Sequence, residues 1–201
     1  MTVQWHRIRT FADHFDRCAV DDATTAVVLA EDDSRPDLVA TATAALQYLG
    51  ASVSGVVVPT PPNPGPVPIR STGASTALAG NRAVVAGLAA ADFVVDCTVE
   101  GLLHAPELSE VLSGGARVLM ISNEHPEVFD RLGHDPTLSD RVARGLGLLQ
   151  AASRMQVTSP AGTDLTVDLA GASFAGSDGM VTEPGGIAHW PGGLVLCFPA
   201  A

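Results

Sequence analysis

The chain has 201 residues, 46% of them hydrophobic and only 4% aromatic. That length allows one sizeable domain, or one and part of another, with a core built from Ala, Val and Leu as in α/β proteins of small-residue helix–sheet packing. A formal net charge of −11 argues against nucleic acid or an anionic membrane surface as a partner. No run approaches the ~20 apolar residues of a membrane span, and the start, MTVQWHRIRTFADHF, lacks the apolar region of a signal peptide. The expectation is a soluble, cytoplasmic protein.

Residues 5–18 carry Trp5, Ile8, Phe11, Phe15 and Cys18 at three- and four-residue spacing, which predicts a short amphipathic helix. Ala26–Ala30 is an apolar run of the buried-strand kind. A helix begins near Pro36, a good first-turn residue, with Leu38, Ala42, Ala45, Leu46 and Leu49 on one stripe and Gly50 as its stop. A second strand follows at Val53–Pro59. The segment Thr60–Arg70 carries five prolines and forms neither helix nor central strand. Gly73–Arg82 opens a third helix reaching about Ala90; its glycines fit neither G-x-G-x-x-G nor a Walker motif, so no nucleotide site is assigned.

Phe93–Thr98 and Arg117–Ser122 read as two further strands flanking a helix-like Pro106–Leu112. Asp135 as N-cap and Pro136 at the first helical position start a long helix through Ala152, with Leu138, Val142, Leu146 and Leu149 on one face. Strands alternating with helices imply an α/β fold with a Rossmann-like, doubly wound and mostly parallel sheet over residues 1–154. The pattern then changes. Met155–Pro160 and Asp164–Ala170 flank a Pro-Ala-Gly turn as a β-hairpin with one wet face, opening a second, β-rich and incomplete domain over residues 155–201.

The stretch Glu183-Pro-Gly-Gly-Ile-Ala-His189-Trp190-Pro-Gly-Gly193 packs a carboxylate, an imidazole and an indole between prolines and glycines, the makings of a rigid turn-rich loop. A near-neutral imidazole at His189 suits hydrogen bonding and proton exchange near neutral pH. His104 follows the strand at 93–98, where ligands gather in parallel sheets, although on the residues alone a surface histidine ahead of a helix is the favoured reading. Glu183 could orient His189, bind a ring nitrogen of a ligand or form an ordinary ion pair, and Leu103 could be an apolar wall or plain core. Trp190 is read as packing, and His6, His14, His125 and His134 as solvated. Asp164 in its turn is read as capping its own backbone. Cys97 and Cys197, inside apolar runs, are read as buried thiols; no C-x-x-C or paired Cys/His spacing suggests structural zinc.

Taken together, TGASTALAGNRA at 72–83, ADFVVDCTVEGLLHAPE at 91–107, PEVFDRL at 126–132, SPAGTDLTVDL at 159–169 and EPGGIAHWPGG at 183–193 resemble the 2,5-dihydroxypyridine 5,6-dioxygenases. The AGTDL element is shared with aminopeptidase T-like metallopeptidases; LLH combined with HWP is the more specific pairing. The resemblance implies a non-haem Fe(II) enzyme that opens the pyridine ring with O2 to N-formylmaleamic acid. It implies iron ligands downstream of these residues, so no metal ligand is assigned in this chain. It implies His104 and His189 as catalytic, and Leu103, His104, Glu183 and His189 as substrate-binding. The expected partners are a small aromatic N-heterocycle and O2, within a homo-oligomer.

Two alternatives stand beside it. One is a metallo-aminopeptidase-like hydrolase using metal-activated water, disfavoured by Leu194 where that family would carry a glutamate. The other is a short non-catalytic paralogue binding a ligand or a partner.

Overall fold

The structure, a computed structural model, describes residues 3–62, 74–133 and 135–200. His134 and most of the proline-rich segment lie outside the described residues. In chain order the elements are α1 (Trp5–Arg17), β1 (Thr25–Glu31), α2 (Pro36–Tyr48), β2 (Ser52–Val58), α3 (Arg82–Ala89), β3 (Phe93–Asp96), α4 (Leu108–Ser113) and β4 (Arg117–Met120). They continue with α5 (Glu127–Arg131), α6 (Leu138–Ala151), β5 (Arg154–Thr158), β6 (Asp164–Asp168), β7 (Ser173–Ser177), β8 (Ile187–His189) and β9 (Leu194–Phe198).

The chain forms two compact units, Met1–His134 with Gly179–Pro191, and Asp135–Asp178 with Gly192–Ala201. The boundary expected after residue 154 therefore falls elsewhere. Helix α6 packs with β7 and β9, whereas β8 hydrogen-bonds along β4, so residues 179–191 return to the first unit.

The first unit is the expected α/β fold: a five-stranded parallel sheet in the order β2-β1-β3-β4-β8. Its inner strands are apolar on both faces because both faces are covered. Ala26, Val28 and Ala30 of β1 join a core with Phe11 and Phe15 of α1, Leu38, Ala42 and Leu46 of α2 and Phe129 of α5. Val27 and Leu29, pointing the other way, join Val85 and Leu88 of α3 with Leu108 and Val111 of α4. The two-residue period of a strand thus feeds two helical layers from one short run. The chain moves outward from β1 to β2, then crosses back to β3 on the other side of β1. The topological switch point lies between β1 and β3, where such sheets bind ligands beyond their carboxyl ends.

Several expectations are corrected in detail. Helix α3 begins only at Arg82, after a turn at 77–80, because Asn81 caps it by accepting from the Val84 amide. Asp135 takes the Thr137 amide and hydroxyl, which delays α6 to Leu138. Trp5, expected on the buried stripe of α1, is 59% exposed and meets Tyr48 edge-on. His14, expected in solvent, is buried.

In the second unit, β5 and β6 form the expected antiparallel hairpin, with Val157 opposite Leu165 and Met155 opposite Val167. Val157 and Leu165 are exposed, so that pair lies on a wetter face than the alternation suggests. Helix α6 lies close on the β7–β9 ribbon: a Cβ on Gly176 would stand 2.9 Å from Val142, and one on Gly145 would stand 3.1 Å from Val195. Cys197 is half-buried rather than buried.

Candidate functional site

The stretch from Glu183 to Gly193 is not one loop. A turn at 183–186 closes with the Gly186 amide on the Glu183 carbonyl at 2.9 Å, and the Gly185 amide reaches the Gly115 carbonyl at 3.1 Å. Gly185 has φ +70°, and a Cβ there would stand 2.9 Å from the Leu112 carbonyl oxygen, so only glycine fits without strain. The chain then runs as β8 along β4, Ile187 opposite Val118 and His189 opposite Met120. Trp190 closes the ladder by donating its amide to the Met120 carbonyl at 2.9 Å.

Trp190 is buried, as expected of a packing residue. Its ring centroid lies 4.8 Å from Phe11, 4.2 Å from Phe129 and 4.0 Å from the His14 imidazole, which stacks on it with 5° between the planes. His14 Nε2 is 2.8 Å from the Gly179 carbonyl, an acceptor only, so that nitrogen carries the proton. Both ends of residues 179–190 are thereby anchored, and His189 stands half-buried at the carboxyl end of the sheet with Nδ1 3.2 Å from the Pro191 carbonyl.

Around that end lie polar groups inside otherwise apolar strands. Asp96, the last residue of β3, is fully buried. Its Oδ1 accepts from the Thr98 amide at 2.9 Å and the Thr98 hydroxyl at 2.6 Å, and its Oδ2 accepts from the Leu102 amide at 2.9 Å. Thr98 Oγ1 accepts in turn from the Gly101 amide at 3.1 Å. The loop from Cys97 to Ala105, which carries Leu103 and His104, is folded around this carboxylate. Burial pushes the Asp96 carboxyl above its ordinary value; the Thr98 and Leu102 bonds and the charge of His189 oppose the rise.

Glu31, at the end of β1, faces the same region. It accepts from the Ser75 hydroxyl at 3.1 Å, and Ser34 bridges its amide to the Cys97 carbonyl with bonds of 2.7 Å and 2.7 Å. Burial raises its pKa, with Ser75 and the Val99 amide opposing and the charge of Asp96 adding. Burial, then Asp96, raises the Cys97 thiol well above its ordinary value, which keeps it an un-ionised core residue.

Leu103 and His104 are exposed on their loop, and His189 emerges at the same end of the sheet. Glu183 does not join them. It is exposed in the turn beside Gly115, at the amino end of β4, while His189 pairs with Met120 at the other end, roughly 10 Å away along the strand. Parallel pairing of β8 with β4 separates the two, so Glu183 does not orient His189.

Among the described residues no three His, Cys, Asp or Glu side chains converge to hold a metal ion. The buried Asp96 carboxylate already accepts three hydrogen bonds inside the core, so the described residues do not fit a two-His, one-carboxylate iron site. Sequence reasoning missed Asp96, Glu31, Ser34 and Thr98. The available signal was one carboxylate at the end of each apolar run, in Phe-Val-Val-Asp and Ala-Val-Val-Leu-Ala-Glu.

Residues 6–201 match the family model of NicX, 2,5-dihydroxypyridine 5,6-dioxygenase. A curated 2,5-dihydroxypyridine 5,6-dioxygenase of Pseudomonas putida KT2440 is 36% identical over 184 residues, covering 90% of this chain and 51% of the relative. The solved structure of the P. putida KT2440 2,5-dihydroxypyridine dioxygenase superposes with a TM-score of 0.85 at 33% identity, over 96% of this chain and 55% of that one. The chain thus spans about half the length of the relatives it matches. These matches give the aminopeptidase-like reading no support. Among the described residues no helix is long and apolar enough to cross a membrane.

Proposed function

This chain belongs to the 2,5-dihydroxypyridine 5,6-dioxygenase family, and from that premise we propose that it serves the O2-dependent opening of a dihydroxylated pyridine ring. The family match along residues 6–201 carries this reading. In it, His189 hydrogen-bonds a ring hydroxyl and exchanges its proton, a role that an imidazole fills near neutral pH. His104 is the second proton-transfer or hydrogen-bonding group, and Leu103 beside it an apolar wall against the ring. Fe(II) is the cofactor that the family resemblance implies. The described residues supply no donor set for it, so the chemistry assigned to this chain stops at binding and proton exchange. A cytoplasmic homo-oligomer acting on a small N-heterocycle and O2 completes the proposal.

The test is an intact mass on protein from its native host, with iron content and 2,5-dihydroxypyridine consumption measured on the same sample. Ring opening that needs Fe(II) and O2 is the expected result. Iron-replete protein that leaves the pyridine absorbance unchanged would sink the enzyme reading and leave the non-catalytic paralogue.

A further inference from the structure

We propose that Asp96 is the positioning residue of this site, fixing from inside the core the loop that presents Leu103 and His104. The inference rests on the reading of Leu103 and His104 as site residues, and it assigns a role to a group that touches no substrate.

A carboxylate without solvent contact is costly unless its charge is matched by donors. Asp96 spends all its acceptor contacts on one short loop. Thr98 binds it through both amide and hydroxyl, Leu102 through its amide, and Thr98 passes the constraint to Gly101. The Ser75 amide adds a bond to the Gly101 carbonyl at 3.0 Å, and the Leu102 carbonyl takes the Ala105 amide at 2.9 Å. Leu103 and His104 lie between these two pinned points, so their backbone is set from inside the core although their side chains are exposed. A rigid presentation from beneath is what a substrate-contacting loop requires.

The test is backbone amide exchange by NMR, with 15N order parameters at Leu103 and His104, in wild type and Asp96→Asn. It needs no turnover, so it stands or falls separately from the dioxygenase assay. The expected result is faster exchange at Thr98, Gly101 and Leu102 and lower order at Leu103 and His104, with unchanged exchange in β1. Loop exchange that does not rise, or exchange that rises equally in β1, overturns the proposal. Should Asp96→Asn not fold, Thr98→Val decides: it removes the hydroxyl that joins Asp96 to the Gly101 amide and should loosen the same residues, and an unchanged loop overturns the proposal.

Discussion

The imidazole of His14 lies flat on the indole of Trp190, ring centroids 4.0 Å apart and planes within 5° of parallel. This stack joins the first helix to the residue that follows the candidate catalytic histidine. It makes the register of β8 depend on a side chain 176 positions away, the difference between 190 and 14. Trp190→Ala removes the indole from contact with His14, Phe11 and Phe129 at once. The expected cost is about 3–5 kcal/mol, read by urea unfolding followed by far-UV circular dichroism. A cost below about 1 kcal/mol would mean that the stack is incidental.

Gly185 and Gly80 have similar positive φ values, +70° and +72°, but different surroundings. A Cβ at Gly185 meets the Leu112 carbonyl at 2.9 Å, whereas one at Gly80 meets nothing within 4 Å. Gly80→Ala should therefore cost only the left-handed conformation, about 1–2 kcal/mol, and Gly185→Ala clearly more. Paired melting curves check the order, and equal losses would show that the turn yields to the methyl group.

Arg117 is buried and donates to the carbonyls of Cys18, Ala19 and Asp92 while lying over the Phe93 ring at 5.4 Å. A lysine reproduces the charge but not the planar fork or the stacking. Arg117→Lys should destabilise by about 1–3 kcal/mol, with no change in the affinity for a ligand bound at the opposite, carboxyl end of the sheet. Calorimetry and ligand titration on one preparation separate these effects.

Burial raises the Glu31 carboxyl above its ordinary 4.5. The folded chain then keeps a proton that the unfolded chain has released. Its contribution is greatest below the unfolded value and declines as pH rises toward the folded one. Glu31→Gln abolishes that dependence. The stability difference, wild type minus variant, should fall as pH is raised from 4.5 upward. A difference that rises over the same range would reverse the sign assigned to Glu31.

For the proposed reaction, His189→Ala should lower ring opening by roughly 10²–10⁴-fold if the imidazole exchanges the hydroxyl proton. Glu183→Gln should leave the rate nearly unchanged, because the carboxylate stands at the other end of β8. Steady-state kinetics on the two variants distinguish these outcomes; a large loss for Glu183→Gln would return it to the site.

What the residues determine by themselves is local. Apolar runs such as Ala26–Ala30 specify strands buried on two faces, Pro36 and Gly50 bracket a helix, and Met155–Ala170 form a hairpin, because the period and the turn chemistry are read within a few positions. The motifs LLH and HWP likewise suffice to point to the family, since they are contiguous. What only the tertiary structure decides is which distant groups meet. Parallel pairing of β8 with β4 carries His189 to the carboxyl end and leaves Glu183 at the amino end, though six positions separate them in sequence. It buries His14 against Trp190 and gathers Asp96, Glu31 and Thr98 beneath the candidate loop. Register in a parallel sheet is set by contacts across crossovers of dozens of residues, so no window on the sequence contains it.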